Sequence, residues 1–253
     1  MAKIIAVTNQ KGGVGKTTTA VNLAASLGLS GKKILVCDID PQGNATSGLG
    51  VNKKNLKLST YDVMVSGETA DDAIIKTPYK NVDLMPADAN LAGAEILLVS
   101  MDKREHNLYN ALVCVKSKYD YIFIDCPPSL GIITLNGLIA CDTVLIPIQC
   151  EFYALEGLSQ LMNTLRQIKK VYNSPIEVEG VLLTMYDARL NLTLQVAGEV
   201  KNFFKNKVFK TTIPRNVRLS EAPSHGMPVI YYDKYSRGSE SYQNLALEII
   251  SNN

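Results

Sequence analysis

No Cys-x-x-Cys pair occurs in this chain, it has only two histidines, and no apolar run reaches the length needed to cross a bilayer. The five cysteines (Cys37, Cys114, Cys126, Cys141 and Cys150) form an odd, scattered set. That usage fits reduced, mostly buried thiols in a cytosolic protein and excludes a disulfide framework. His106 and His225 are too far apart in sequence to form a metal-ligand motif, so structural roles are expected for both. No signal peptide is expected either, because Met1-Ala2-Lys3 leads directly into an apolar strand pattern. There is no internal repeat, low-complexity tract or linker rich in Pro, Gly or Ser. With 253 residues and 46% apolar content, residues 1–253 are expected to fold as one domain around a sizeable core.

What is present begins at residue 9. Asn9-Gln-Lys-Gly-Gly-Val-Gly-Lys-Thr-Thr-Thr follows the strand pattern Ile4-Ile5-Ala6-Val7 and opens the helical pattern Ala20, Leu23, Ala24, Leu27. Strand, glycine-rich turn and helix N-terminus together make a phosphate cradle, since backbone N–H groups and the helix dipole converge on an anion. Gly12, Gly13, Val14 and Gly15 supply the turn. Lys16 can reach terminal phosphates, Thr17 can ligate magnesium and Thr18 extends the helix start. The strict P-loop pattern wants glycine at position 10, where this chain has Gln10, and a second lysine, Lys11, precedes the glycines.

Strand-like runs at Ile34–Cys37, Val82–Met85, Tyr121–Ile124, Val144–Ile148, Val178–Leu183 and Val208–Ile213 alternate with helical patterns at 105–118, 153–172, 190–206 and 238–250. Such alternation predicts an α/β fold: a mostly parallel twisted sheet flanked by helices, with ligands at the C-terminal ends of the strands. Two acidic sites fall at such ends. Asp38 and Asp40 follow Ile34-Leu-Val-Cys, and Asp125 follows Tyr121-Ile-Phe-Ile in the manner of a Walker-B aspartate. A magnesium nucleotide needs a carboxylate near its metal. Asp125 fits that role, Asp40 could orient an attacking water, and Asp38 would support the site, although strand-end aspartates also cap helices. The guanine-selective tetrad Asn-Lys-x-Asp is missing, which favours adenine.

Positive charge is concentrated. Residues 187–218 hold seven basic side chains against Asp187 and Glu199, while the whole chain carries only +2. The segment therefore suits a polyanion as well as it suits a solvated face. Lys201 and Lys205 are one turn apart on the 190–206 helix, so both can face one phosphate strand of DNA, and Leu194, Ala197, Val200 and Phe204 are its expected buried face.

Lys11-Gly-Gly-Val-Gly-Lys-Thr-Thr, Asp38-Ile-Asp-Pro-Gln-Gly-Asn, Ile124-Asp-Cys-Pro-Pro-Ser and Ile213-Pro-Arg-Asn-Val-Arg-Leu-Ser-Glu-Ala-Pro resemble the deviant Walker-A ATPases, specifically the ParA/Soj branch of the MinD/ParA superfamily. The resemblance runs over essentially the whole chain. It implies a magnesium-dependent ATPase whose ATP-bound homodimer sandwiches the nucleotide, with Lys11 crossing to the partner's phosphates. Lys11, Lys16 and Asp40 would carry hydrolysis of ATP to ADP and phosphate. Thr17 would ligate Mg2+ directly, and Asp40 and Asp125 largely through waters. Pro214 and Asn216 match the loop that lines adenine and ribose. The resemblance further implies non-specific double-stranded DNA as a ligand of the ATP dimer, with Arg189 and Arg218 at family positions for that contact. A ParB partner and DNA would stimulate weak basal turnover in chromosome or plasmid partitioning. Regulation of replication initiation through partners is also implied, as is a cytoplasmic, nucleoid-associated location.

Relatives with other roles fit less well. A MinD-type membrane anchor needs a basic amphipathic C-terminal helix, but Ser239–Asn253 contains no Lys or Arg, and Leu245, Ile249 and Ile250 suggest core packing. Iron–sulfur relatives need interface cysteines, whereas Cys126 reads as a small residue behind Asp125. A tyrosine-kinase tail is disfavoured because apolar residues continue past Tyr231, Tyr232, Tyr235 and Tyr242 to Ile250, so these read as packed, partly exposed tyrosines. Only Met1 and Ala2 precede the first strand, so operator reading by an N-terminal helix-turn-helix is not expected.

Overall fold

Strands of this chain are apolar on both faces, and the fold follows from burying both. The computed structural model describes residues 1–99, 101–151 and 154–252. Its first half runs β1 (Lys3–Val7), α1 (Lys16–Leu29), β2 (Ile34–Asp38), α2 (Asn44–Gly48), α3 (Ala70–Ala73), β3 (Ile75–Lys76), β4 (Val82–Met85) and α4 (Leu91–Leu98). Then follow α5 (Asn107–Val115), β5 (Tyr121–Asp125), α6 (Ile132–Ala140), β6 (Thr143–Gln149), α7 (Ala154–Val171), β7 (Glu177–Thr184) and α8 (Asn191–Phe204). The chain ends with α9 (Val217–Glu221), α10 (Val229–Tyr232) and α11 (Arg237–Asn252).

The seven strands among the described residues form one sheet in the order β3-β4-β2-β5-β1-β6-β7. Every neighbouring pair is parallel except β3 with β4. Alternate residues serve opposite faces. Ile4, Ala6, Ile122 and Ile124 pack under α5, α6, α7 and α8, whereas Ile5, Val7, Tyr121 and Phe123 pack under α1 and α11. The expected α/β architecture is therefore the observed one. Leu245 and Ile249 are fully buried and Ile250 packs against them, so α11 closes a core face as its sequence suggested.

Register places the site. Val7 of β1 and Asp38 of β2 both stand opposite Asp125 of β5, so three central strands end abreast and two of them end in carboxylates. The loop after β1 then rises over that edge into α1.

Several local expectations are corrected. Val208–Ile213 does not form a strand. It follows the outer edge of β7 through Phe209 N–H to Val181 O (3.0 Å) and Ile213 N–H to Leu183 O (2.9 Å). Between these, the Lys210 and Thr211 N–H groups turn to the Glu248 carboxylate of α11 (2.7 and 3.0 Å), which takes the donors a ladder would need. The 105–118 helix is α only over α5, with a tighter 3-10 turn at each end. The expected 153–172 helix matches α7, and Tyr153 lies outside the described residues. The 190–206 helix stops at Phe204, because Lys205 takes φ +48° and ψ −115°. Lys205 therefore does not continue the helical face of Lys201. Leu194 is 49% exposed rather than buried, and the packed stripe is Thr193, Val196, Ala197, Val200 and Phe204. Leu194 lies about 100° around the helix from Thr193, outside the arc that faces the sheet.

Candidate nucleotide-binding site

The glycine-rich loop bends through left-handed backbone at Gly13 (φ 73°) and Gly15 (φ 88°), a region that disfavours any side chain. Gly15 is the N-cap of α1, which has no side-chain cap and no acidic residue in its first turn. The first N–H groups of a 14-residue helix are thus left for an outside anion, at the positive end of its dipole. The loop is braced from two strands. Asn9 donates to Pro147 O of β6 (2.8 Å), and the Thr184 hydroxyl of β7 donates to Val14 O (2.8 Å).

Above the loop lies a cleft of about 560 Å³, a size suited to a small ligand. Gly12, Gly13, Gly15, Lys16, Thr17, Thr18 and Asp40 line one side, and Pro214 and Asn216 line the other. Nine residues from three distant segments, each singled out in the sequence, therefore meet around one volume. Lys11 and Val14 do not line it. Val14 is buried, and the Lys11 amine instead pairs with Glu151 Oε2 at 2.5 Å.

Charge in the floor is costly and has a clear direction. Asp125 is completely buried, and neither carboxylate oxygen accepts a hydrogen bond of good geometry among the described residues. Burial drives its pKa well above the usual carboxylate range. The neighbouring Asp38 and Asp40 push the same way, while the Thr17 hydroxyl and Lys16 oppose them. Burial also lowers the Lys16 pKa, against the pull of Asp125 and Asp40. The Lys16 amine donates to Lys11 O (3.1 Å). An anion over the loop and a cation over Asp125 would each relieve part of this arrangement.

Asp38 combines the supporting and capping roles. Its carboxylate accepts from Thr46 N–H (2.8 Å) and the Thr46 hydroxyl (2.7 Å), holding the start of α2, and from Asp40 N–H (3.1 Å). Burial first, then the nearby Asp40, pushes its pKa up to about 6 against those hydrogen bonds. Asp40 Oδ1 accepts from Gln42 N–H (2.9 Å), fixing the loop that faces the cleft. Cys126 is buried directly after Asp125, and its thiol pKa is raised by burial.

The basic residues behave differently. Arg189 is held bidentate by Asp187, with Nε at 2.9 Å and Nη2 at 2.7 Å from the two carboxylate oxygens. Arg218 pairs with Glu221 (2.8 Å) and Asp233 (3.2 Å). Lys201 and Lys205 are exposed. A bridge between Tyr186 and Pro214 brings the Arg189 loop alongside the cleft wall that leads to Arg218.

Some contributors carried no sequence signal. Thr184 and Met185 at the end of β7 and Tyr242 of α11 all line the cleft. Tyr242 is buried, with its hydroxyl 3.1 Å from Thr19 Oγ1 in α1. The other tail tyrosines grade outward to Tyr235, which is 86% exposed. His106 and His225 contact Tyr109, Tyr172 and Tyr232, and no cluster able to hold a metal occurs among the described residues. No helix among the described residues is long and apolar enough to cross a membrane.

Comparison with known proteins gives the family. A family model described as an AAA domain matches residues 2–178. The sporulation initiation inhibitor protein Soj of Bacillus subtilis is 60% identical over 252 residues, covering 100% of both chains. The chromosome partitioning protein ParA of Myxococcus xanthus is 50% identical over 250 residues, covering 99% of this chain and 88% of that one. Among solved structures, a cobyrinic acid a,c-diamide synthase from Mycobacterium smegmatis with bound ADP and magnesium superposes with a TM-score of 0.87 at 34% identity, covering 100% of this chain and 95% of that one. Full-length likeness to Soj and ParA, together with a deviant Walker-A loop set over strand-end aspartates, makes this chain a member of the ParA/Soj family of chromosome-partitioning ATPases.

Proposed function

We propose that the protein is an ATP-assembled, DNA-binding partition ATPase that folds as one P-loop domain. The observation that carries the reading is the pairing of an uncapped α1 N-terminus with a buried Asp125 at its foot, whose carboxylate accepts no hydrogen bond of good geometry among the described residues. One accepts the phosphates, the other a cation. The donor set fits Mg2+: a threonine hydroxyl at Thr17, carboxylates at Asp40 and Asp125, and no all-protein cage among the described residues, as suits an ion that keeps waters and phosphate oxygens. Bound Mg2+ would neutralise charge on the phosphates.

The residues of the chain do the rest. Lys16 turns its amine from Lys11 O to the nucleotide, and Asp40, on its braced loop, orients the attacking water. Lys11 leaves Glu151 and reaches the phosphates of a second subunit, so hydrolysis depends on homodimer formation. Pro214 and Asn216 hold the base and ribose. The Arg189 and Arg218 surfaces, with Lys201 and Lys205 exposed nearby, meet the phosphates of non-specific duplex DNA, and doubling them in the dimer strengthens a contact that is weak in one subunit. A ParB-type partner would then stimulate turnover and release the DNA, on the nucleoid in the cytoplasm.

The test is binding to non-specific duplex DNA with ATP, ADP or no nucleotide, at two salt concentrations. Salt-sensitive binding with ATP only, abolished in Lys16→Ala and kept in Asp40→Ala, is expected. Equal binding with and without ATP by a protein that stays monomeric would sink the reading.

A further inference from the structure

Among the three arginines of the 187–218 segment, one stands apart. Arg189 and Arg218 are tied to carboxylates, whereas the Arg215 side chain has no hydrogen bond or ion pair among the described residues and lines the cleft. Its place along the cleft follows from the elements around it. Asp40, Gln42, Asn44 and Pro128 gather at the ends of β2 and β5, which marks the metal and terminal-phosphate end. Gly15 sits against Thr184, where a side-chain Cβ would lie 3.7 Å from the threonine methyl, and the chain passes from Thr184 through Met185 to the Tyr186–Pro214 bridge. Beyond the glycines, therefore, the lining turns apolar: Met185, Ile213, Pro214, Leu219 and Pro223. Met185 holds φ +48°, an unusual backbone for a side-chain-bearing residue, and lines the cleft there. Such a slot takes the flat face of a base.

We propose that Arg215 is a base-contacting residue whose guanidinium stacks on the outer face of the bound nucleobase and closes the slot. The inference rests on the nucleotide reading given above and adds a residue to it. A planar, weakly hydrated cation is suited to lie on a π-face. Being free of carboxylates, Arg215 breaks no existing ion pair to do so. Asn216 caps α9 through its side-chain oxygen, which accepts from Arg218 N–H (2.9 Å), and its neutral amide leaves the cationic stacking role to Arg215. Stacking acts on the base and not on the phosphates, so ATP and ADP gain equally while a ligand without a base gains nothing.

Calorimetric titration of wild type, Arg215→Ala and Arg215→Lys with Mg-ATP, Mg-ADP and inorganic tripolyphosphate tests this. Arg215→Ala is expected to weaken ATP and ADP alike by about 5- to 30-fold and to leave tripolyphosphate unchanged, with partial recovery in Arg215→Lys. Unchanged ATP affinity in Arg215→Ala, beside a wild type that binds ATP, overturns the proposal and leaves the nucleotide reading intact. Equal weakening of ATP and tripolyphosphate also overturns it, because the cation would then act on phosphate. Loss of DNA binding at unchanged ATP affinity would assign Arg215 to the DNA surface instead. A wild type that binds none of the three ligands removes the nucleotide reading itself.

Discussion

The floor of the cleft and the basic segment 187–218 both hold charge, on opposite terms. In the floor, Asp38, Asp125 and Lys16 are at most 7% exposed, placed by strand register and the first turn of α1, and the Asp125 carboxylate accepts no hydrogen bond of good geometry among the described residues. In the basic segment, Arg189 and Arg218 are solvent-facing and already hold carboxylates. Burying these groups is costly, and it shows as a raised pKa at Asp125 and a lowered one at Lys16, a cost that a bound ligand would relieve. Exposed pairs are weak and exchange partners readily. Function at the first place is therefore written in the energetics of the free protein, whereas at the second it depends on what arrives.

The comparison breaks most directly at Lys16. Lys16→Ala is expected to reduce nucleotide affinity by about 100-fold or more, because an inward ammonium no longer meets phosphate, and a fluorescent-nucleotide titration reads it. If affinity holds, the floor is not a phosphate site. Asp40→Ala is next: turnover measured as phosphate release should fall by about 100-fold, with ATP binding kept within a few-fold.

The basic segment gives a smaller, opposite-signed pair. Removing Arg189 as Arg189→Ala should weaken duplex DNA binding and lower its salt slope by about 0.9 for each DNA phosphate left without its cation. Freeing Arg189 from its carboxylate as Asp187→Asn should instead strengthen binding a few-fold. No change in either variant would detach this arginine from DNA.

Proton linkage sharpens the floor further. Folded Asp38 titrates at about 6, above its ordinary 3.8, so the folded state holds the proton more tightly than the unfolded one. The stability this contributes to the ligand-free protein is full below pH about 4 and disappears as pH rises through about 6. Urea midpoints of wild type relative to Asp38→Asn should decline across that window, and a flat difference would exclude the linkage. The smallest expected effect separates two residues of α8. Val200→Ala should cost about 2 kcal/mol of unfolding free energy, whereas half-exposed Leu194→Ala should cost no more than about 0.5 kcal/mol.

Much of this was legible along the chain. Lys3–Val7, the glycines and Lys16–Thr18 are contiguous, so local rules of strand, turn and helix start suffice to specify a phosphate cradle. Asp38 and Asp125 stood out because each ends an apolar run. What failed to show was whatever depended on a distant group: Lys210 and Thr211 leave the ladder for Glu248, and Arg218 is visible as a cation but its pairing with Asp233 is not. Thr184, Met185 and Tyr242 line the cleft from strand and helix positions that read as ordinary core.

By itself the sequence determined the class of sheet, the cradle and the two strand-end acids, because those depend on residues within a turn or strand of one another. Tertiary structure alone decided that Asp38 and Asp125 end side by side and that, among the described residues, Asp125 accepts no hydrogen bond of good geometry and Arg215 is the uncommitted arginine of its segment. Strand order, burial and ion pairing join residues far apart in the chain, and they are set only when the whole sheet closes its two cores.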